Sequence, residues 1–279
     1  NKAIVGVVRD THSWIGLDGT RYLALGTDRK LYLYSEGKVY DITPIRETAS
    51  GLSNPFTTNG TTTVTVTDAS HGALVGDFVT FDSFSSIDGL DMNQEFEIIT
   101  VPSSSTYTVT HTSTASGSTS GGGGTGNAVY QINTGPSTST YGYGWNTLTW
   151  NLSTWNTPRS SSNVVVAGRN WSLDNFGEDL IATVLDGGTF IKDISGSITA
   201  RATALSNAPT ASRFSLVSTD TRHLMIFGTE TTIGNNATQD DLLFRFSDRE
   251  DATDYTPVAT NEAGSLRISD GSRIVGAVK

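Results

Sequence analysis

Short apolar runs separated by polar turns dominate the early part of the chain. From position 19 to 44 the sequence GTRYLALGTDRKLYLYSEGKVYDITP contains three such runs, at 22–25, 31–34 and 39–42. The intervening GTDRK and SEGK carry the Gly, Asp and Ser residues that favour tight turns. Within KLYLYS, alternation directs two Leu side chains to one strand face and two Tyr side chains to the other. The pattern predicts three antiparallel strands joined by hairpins, in a sheet that packs on both faces.

The same kernel, a polar turn followed by four or five apolar residues, recurs further along the chain. The copies read FGEDLIATVLDGGTFIKD, TRHLMIFGTETTIGNNATQDDLLFRFSD and DGSRIVGAVK. The charged residue before each apolar run aligns as Arg21, Asp179, Arg222 and Arg273. The last two intervals, 43 and 51 residues, are typical of a β-propeller with several strands per blade. Runs 22–25, 180–183, 224–227 and 274–277 are then equivalent strands of successive blades. Hairpins of a β-sandwich give a similar pattern, so a sandwich is the alternative.

A second pattern occupies the long gap between the first two copies. TTTVTVTDA alternates strictly, HGALVGDFVTFD reads as a turn and a strand, QEFEIITVPSSSTYTVTHT as two strands, and NAVYQINT as another. Every residue from 113 to 126 is Ser, Thr, Ala or Gly, which predicts a flexible loop or linker. We interpret 52–134 as a small β-sandwich or barrel inserted between propeller segments 1–51 and 135–279. The chain does not begin with Met, and its last residues, GSRIVGAVK, stop inside a strand-like run with no terminating turn, so we expect a segment of a longer polypeptide.

Composition supports an all-β chain and excludes several kinds of site. Gly is abundant, at 29 residues, and windows rich in helix formers are missing. Because there is no Cys, disulfides, thiolate metal sites and Cys nucleophiles are ruled out. The net charge of −10 argues against a surface that binds nucleic acid tightly. No apolar run reaches the 18 residues that a membrane-spanning helix requires.

Candidate catalytic and metal-binding residues form no recognisable motif. The four histidines, none in an HxH or HExxH arrangement, are His12, His71, His111 and His223. We interpret His71 as a turn residue and His223 as a structural residue of the repeat. The run DGLDMNQE resembles a calcium loop but lacks the required ligand spacing; its polar residues are Asp88, Asp91, Asn93 and Glu95.

Two further segments are interpreted as turns. SDREDATDYTP carries a carboxylate cluster formed by Asp248, Glu250, Asp251 and Asp254. DGGTF, at 186–190, is one residue short of the Asp-box found in sialidase-type propellers. We therefore predict no catalytic, cofactor-binding or metal-binding residues, no cofactor and no enzymatic activity. A pair of carboxylates facing each other across a sugar cleft would not be visible in the sequence alone.

Several phrases together resemble the tail nozzle proteins, also called tail tubular proteins B, of short-tailed bacteriophages. These phrases are YLALGTDRKLYLYSEGKVYDITPI, NVVVAGRNWSLDNFGEDLIATVLDGGTFIKD and LLFRFSDREDATDYTPVATNEAGSLRISDGSRIVGAV. NPFTTNGTTTVTVTDASHGALVGDFVTF is similar to a β-domain inserted in phage structural proteins. The chain departs from the family at Phe246 and Tyr255, where the family often has Trp.

The resemblance implies a structural virion protein of the phage tail. It would assemble with itself as a ring, which is expected to be a hexamer. The ring would bind the tail adaptor protein and the tail fibre or needle and plug proteins. It would also surround the channel through which genomic DNA leaves. No catalytic residue is carried over. The alternative is a carbohydrate-binding or glycan-cleaving propeller of a phage receptor-binding protein. In that case aromatic residues of YGYGWNTLTWNLSTW (141–155) would stack on sugar rings, whereas we favour an inter-blade strand pair for this segment.

Overall fold

The computed structural model describes residues 3–136, 139–141, 165–166 and 168–279. These residues form an all-β structure whose one helical element is a short 3-10 turn, Asn236–Thr238. The chain divides into two compact units. The first unit consists of Asn1–Ile42 together with Thr134–Lys279, and the second unit is Thr43–Asn133.

Three four-stranded antiparallel sheets form most of the first unit, and in each the strands follow one another in chain order. Sheet 1 contains β1 (Val8–Ile15), β2 (Arg21–Thr27), β3 (Leu31–Ser35) and β4 (Lys38–Asp41). Strands β5–β11 belong to the second unit, and a two-stranded pair in the first unit comprises β12 (Thr140–Tyr141) and β13 (Val165–Val166). Sheet 2 contains β14 (Trp171–Phe176), β15 (Asp179–Val184), β16 (Thr189–Lys192) and β17 (Thr203–Ala204). Sheet 3 contains β18 (Phe214–Val217), β19 (Leu224–Phe227), β20 (Leu243–Phe246) and β21 (Gly264–Arg267).

The hairpins predicted from the repeated kernel are present. The first three kernel runs lie in β2, β15 and β19, the second strand of each sheet. In β3 the side chains of Leu31, Tyr32 and Leu33 are fully buried, as expected for a sheet with two apolar faces. The turn at Asp186 is left-handed, with φ of 57°, and joins β15 to β16. The prediction of an all-β architecture built from antiparallel hairpins is therefore confirmed.

The fourth kernel run, 274–277, is not a strand, so this part of the prediction is wrong. The amide of Ile274 donates to the carbonyl of Asp241, but no strand of the described residues pairs with the run. Val275 is 84% exposed. Apolar residues form a β-strand only where a neighbouring strand satisfies their backbone groups.

Adjacent sheets of the first unit are joined through their first strands. The amide of Leu173 in β14 donates to Asp10 Oδ2 of β1 at 3.0 Å. One sheet further on, the amide of Val217 in β18 donates to Asp174 Oδ2 of β14 at 2.8 Å. The same kind of contact, a carboxylate on one first strand holding a backbone amide of the next, therefore occurs at both junctions. The sheets form no closed ring among the described residues.

The second unit is a single seven-stranded sheet with its own core. Its strands are β5 (Ile45–Ser53), β6 (Phe56–Thr57), β7 (Thr63–Thr67), β8 (Phe78–Asp82), β9 (Glu95–Ser103), β10 (Thr106–Thr110) and β11 (Thr125–Gln131). They lie in the order β5-β11-β8-β9-β10-β7-β6. Alternation in β7 buries Val64 and Val66 completely and leaves its Thr side chains outside the core. Phe56, near one edge of the sheet, packs edge-on against Phe81, with 5.0 Å between the centroids of the two rings.

The second unit begins at Thr43, whereas the sequence pattern starts the inserted domain at 52. The difference arises because β5 pairs with β11, from Ile45 opposite Gln131 to Ser53 opposite Thr125. The amide of Ile132 also donates to the carbonyl of Pro44 at 3.0 Å. The two points at which the chain joins the second unit are therefore neighbours.

The Ser, Thr and Gly run 113–126 is ordered rather than flexible, so that prediction is wrong. Its last residues begin β11, and the part before them is held by Asp88. Asp88 Oδ1 accepts from the hydroxyl of Thr119 at 3.0 Å, and its carbonyl accepts from the amide of Ser116 at 2.9 Å. The hydroxyl of Thr58 donates to Asp88 Oδ2. The small polar side chains of this loop are therefore held by a half-buried carboxylate and its carbonyl, which lie outside the run in sequence.

Candidate functional site

A cleft of about 760 Å³ lies in the first unit, at the ends of hairpins from all three sheets. Sheet 1 contributes Ile15 and Leu17, and sheet 2 contributes the turn between β14 and β15 and the loop after β16. Sheet 3 contributes the loop between β18 and β19. The polar and charged residues that line the cleft are Asn175, Glu178, Asp179, Asp193, Ser195, Ser218, Thr219, Arg222 and Lys279. Because hairpins of successive sheets end at the same side, residues far apart in sequence meet here.

Three carboxylates of the cleft are held by hydrogen bonds rather than by ion pairs. The amide of Leu17 donates to Glu178 Oε1, and the amide of Ile194 donates to Asp179 Oδ1 at 3.0 Å. Asp193 Oδ1 accepts from the amide and the hydroxyl of Ser195, at 2.8 and 2.6 Å. Within the described part of the chain none of the three carboxylates forms an ion pair.

The environment changes the pKa of two of these carboxyl groups in opposite directions. Burial raises the pKa of Asp179, and the nearby negative charges of Asp193 and Glu178 raise it further. The hydrogen bond from the backbone amide of Ile194 lowers this pKa, but by less than burial raises it. The hydroxyl of Ser195 lowers the pKa of Asp193. Burial also lowers the pKa of the neighbouring Lys192 ammonium, whose Nζ donates to the carbonyls of Asp193 and Ser197. Of the two carboxyl groups, Asp179 is therefore the more easily protonated.

The cleft also contains an ion pair with a buried carboxylate. Lys279 Nζ lies 2.6 Å from Asp174 Oδ1, and the side chain of Asp174 is only 5% exposed. The amide of Asn175 donates to the same oxygen at 2.9 Å, and Val217 donates to the other. His12 Nε2 lies 3.8 Å from Asp174 and donates to the side-chain oxygen of Asn175 at 2.8 Å. Asp174 thus both joins sheets 2 and 3 and holds an ammonium group.

The histidines that the sequence presents as candidates are separated from one another. His71 is buried; its Nδ1 accepts from the amide of Ala73, and Nε2 donates to the carbonyl of Ser103. His111 accepts from the amide of Ser113 in the same way. His223 Nδ1 donates to the carbonyl of Ser247 at 2.8 Å, and its Nε2 lies 3.3 Å from Glu262. Each of these rings therefore has a local structural partner.

The two carboxylate clusters seen in the sequence organise loops. Asp91 Oδ1 accepts from the backbone amide of Asn93 at 3.0 Å. The side chain of Asn93 in turn accepts from the backbone amide of Phe84 and donates to the carbonyl of Phe84. In the other cluster, Asp248 Oδ1 accepts from the amide of Glu262, which lowers the pKa of Asp248. Within the described residues, no group of three or more His, Cys, Asp or Glu side chains is arranged to hold a metal ion. Of the aromatic segment 141–155, all but Tyr141 lies outside the described residues.

The cleft is not apparent in the sequence as a motif, but one signal points toward it. Asp179 and Arg222 occupy the aligned position at or just before the start of the second strand of a sheet, and the structure places both in the cleft. The repeat itself therefore contains a charged position at the hairpin end. From the sequence alone this position marks only the repeat, because its residue type changes from copy to copy.

The comparisons with known proteins identify no family. Neither a protein-family model nor a curated protein sequence matches the chain. Among solved structures, an endosialidase of phage phi92 aligns with 97% of this chain and 40% of its own length, at 15% identity and a TM-score of 0.27. The chain thus spans less than half of that protein. A likeness this distant supports no conclusion about fold or activity. No helix in the described part of the chain is both long and apolar enough to cross a membrane.

Proposed function

We propose that the chain is a structural component of a bacteriophage tail, and that it belongs to the distal nozzle ring. The observation that carries this proposal is the repeated junction between first strands, at Asp10–Leu173 and again at Asp174–Val217. Sheets joined in this manner, one after another through the same strand, are the expected neighbours within a propeller. Of the three strands that form these junctions, β14 lies within a sequence phrase that resembles tail nozzle proteins, and another such phrase includes strands β2–β4, which follow β1 in sheet 1.

Two further features suit the proposed role. The second unit has its own core and adjacent ends, as expected for a module inserted into a scaffold to offer a docking surface for fibres or other tail proteins. The net charge of −10 would repel DNA that passes through a channel, and so would prevent it from binding to the wall. A protein in this role requires no catalytic site.

Imaging of the assembly tests the proposal. The purified 279-residue chain should form sixfold rings with a central channel in negative-stain images, and light scattering should give the mass of a hexamer. Raising the salt concentration should change ring stability only modestly if apolar contacts hold the subunits together. A chain that stays monomeric at about 100 μM, far above a typical micromolar dissociation constant, would contradict the ring.

One observation supports a second candidate, a glycan-cleaving activity. Asp179 and Asp193 line the same cleft, and their pKa values are shifted in opposite directions. Such a difference allows one carboxyl group to act as general acid while the other stays ionised. Release of reducing ends from capsular polysaccharide, lost in both Asp179→Asn and Asp193→Asn but retained in Asp220→Asn, would favour this candidate. Asp220 is an exposed carboxylate in the loop between β18 and β19, outside the lining of the cleft. The nozzle proposal predicts no release in any of these proteins.

A further inference from the structure

The bound ammonium of Lys279 indicates what kind of group the cleft accepts. Its partner, Asp174, is nearly inaccessible to solvent, and backbone amides of Asn175 and Val217 fix both carboxylate oxygens. A carboxylate held in this manner loses no further side-chain entropy when a cation binds, so the site is preorganised for an ammonium group. Charge-assisted hydrogen bonds of this kind are stronger than neutral ones.

The rest of the cleft adds to this preference for cations. Glu178, Asp179 and Asp193 line it without an ion-pair partner among the described residues. Two cations oppose a further ammonium: Arg222, which lines the cleft, and Lys192, whose charge acts on Asp179 and Asp193. The three lining carboxylates and Asp174 together outnumber them. At the rim, Ile15 is 64% exposed and Leu17 is 93% exposed. These apolar side chains can cover the methylene stem of a lysine while its ammonium reaches the carboxylates.

Lys279 is held mainly by its side chain, not by its neighbours in sequence. Val275 and Val278 are 84% and 93% exposed, so the adjoining backbone is not packed into the unit. The side chain of Lys279 is itself 40% exposed. A contact supported by one ion pair and little apolar burial can be displaced by a competitor that presents the same group.

We propose that this cleft is a docking site for a lysine-bearing linear segment of a partner protein, and that Lys279 occupies the site when the partner is absent. The chain thus carries an internal competitor that weakens binding of external lysines. The inference does not depend on ring formation, because the cleft lies within the first unit of one chain. It also differs from glycan cleavage, since the ligand is cationic and no bond is broken.

Peptide binding to the full chain tests the proposal. The probes are acetyl-Gly-Gly-Lys-Gly-Gly-amide and the matched peptide with Gln in place of Lys. The indole N–H of Trp14 donates to the carbonyl of Glu178 at 2.8 Å, so its NMR resonance reports on the cleft. Lys279→Ala should bind the Lys peptide about tenfold more tightly than the parent chain, because an intramolecular competitor at millimolar effective concentration has been removed. The Gln peptide should bind neither protein.

Charge variants distinguish this site from general attraction to an acidic protein. Adding Asp193→Asn to Lys279→Ala should weaken binding of the Lys peptide severalfold, whereas adding Asp82→Asn, an exposed carboxylate of the second unit, should have no effect. Equal losses in these two double variants would show non-specific attraction and overturn the proposal. Equal affinity of the parent and Lys279→Ala, or equal binding of the two peptides, would overturn it as well.

Discussion

Gly26 illustrates how one residue controls the contact between two sheets. It lies in β2, and a Cβ atom at this position would be 2.6 Å from ring atoms of Trp171 in β14. The indole nitrogen of Trp171 also donates to the carbonyl of Thr27 at 2.8 Å. The ring is therefore fixed by its hydrogen bond and has little freedom to move away. The absence of a side chain at position 26 allows sheets 1 and 2 to approach each other.

We expect Gly26→Ala to destabilise the first unit by about 1–3 kcal/mol, the usual cost of overpacking a core. Thermal unfolding followed by tryptophan fluorescence provides the measurement. Gly188→Ala is the matched control, since its added Cβ would make only ordinary contact, at 3.7 Å, with the carbonyl oxygen of Thr210. Equal losses of stability in the two variants would mean that close packing at Trp171 is not the cause.

The raised pKa of Asp179 makes a second prediction at the residue scale. Because its folded pKa is higher than its unfolded pKa, ionisation opposes folding, and stability falls as the pH rises through the folded pKa. We expect Asp179→Asn to be slightly more stable than the parent at pH 7. The difference should shrink as the pH falls well below the ordinary Asp pKa of 3.8. Denaturant unfolding across this pH range provides the measurement.

Asp193→Asn should behave in the opposite way and serves as the control. The folded pKa of Asp193 is lowered by the Ser195 hydroxyl, so its ionised form stabilises the fold at neutral pH. That contribution is lost as the pH falls through the folded pKa. The variant should therefore be less stable than the parent at pH 7. If both substitutions shift stability in the same direction, the assignment of the two shifts is wrong.

At the scale of elements, Asp88 determines whether the Ser, Thr and Gly loop is ordered. We expect Asp88→Gly to release this loop, because the substitution removes the acceptors of Thr58 and Thr119. Gly tolerates the left-handed backbone at position 88, where φ is 45°, so the substitution introduces no backbone strain. The loss should be about 1–3 kcal/mol, with faster amide exchange across 113–124.

Asp82→Ala is the comparison for this loop. The side chain of Asp82 is exposed and, among the described residues, accepts a hydrogen bond only from the hydroxyl of the adjacent Ser83. The substitution Asp82→Ala should therefore change the stability little. Amide exchange that remains slow across 113–124 in Asp88→Gly would show that backbone bonds alone hold the loop. In that case backbone hydrogen bonds, and not the carboxylate of Asp88, would explain why the loop is ordered.

The elements that the sequence predicted best are those with local causes. Alternation and turn residues located β2, β3, β7 and β10, because burial on one face and a tight turn both act over a few residues. The predictions failed where a distant partner decides the outcome. β5 belongs to the second unit because it pairs with β11, some 80 residues away. Run 274–277 forms no strand, and no strand in the described part of the chain pairs with it. The candidate cleft was also not predicted, because it depends on residues of three sheets that are far apart in sequence.

At the scale of the whole molecule, the division into two units makes a prediction about deletion. Replacing residues 43–133 with a Gly-Ser link between Ile42 and Thr134 should leave the first unit folded, since the removed segment has its own core and adjacent ends. Circular dichroism and the thermal transition of the first unit provide the measurement. We expect weaker assembly or partner binding, but not aggregation.

The isolated segment 43–133 is the complement of this deletion. It should fold by itself into the seven-stranded sheet, with the buried hydroxyls of Tyr107 and Tyr130 still hydrogen-bonded and with Tyr130 donating to Asp68. Aggregation of the deletion variant together with an unfolded segment 43–133 would show that the two units depend on each other for stability. The domain boundary would then be wrong.

The adjacent ends of the second unit also determine how it would respond to mechanical force. Tension along the polypeptide would reach this unit at Thr43 and leave it at Asn133, so it would pull on β5 and β11 from the same end. Antiparallel strands loaded in this way separate one hydrogen-bonded pair at a time, beginning with the bond between Ile132 and Pro44. Strands loaded from opposite ends must instead break many bonds together. The second unit would therefore peel open at low force and lengthen the chain, and so act as an extensible element.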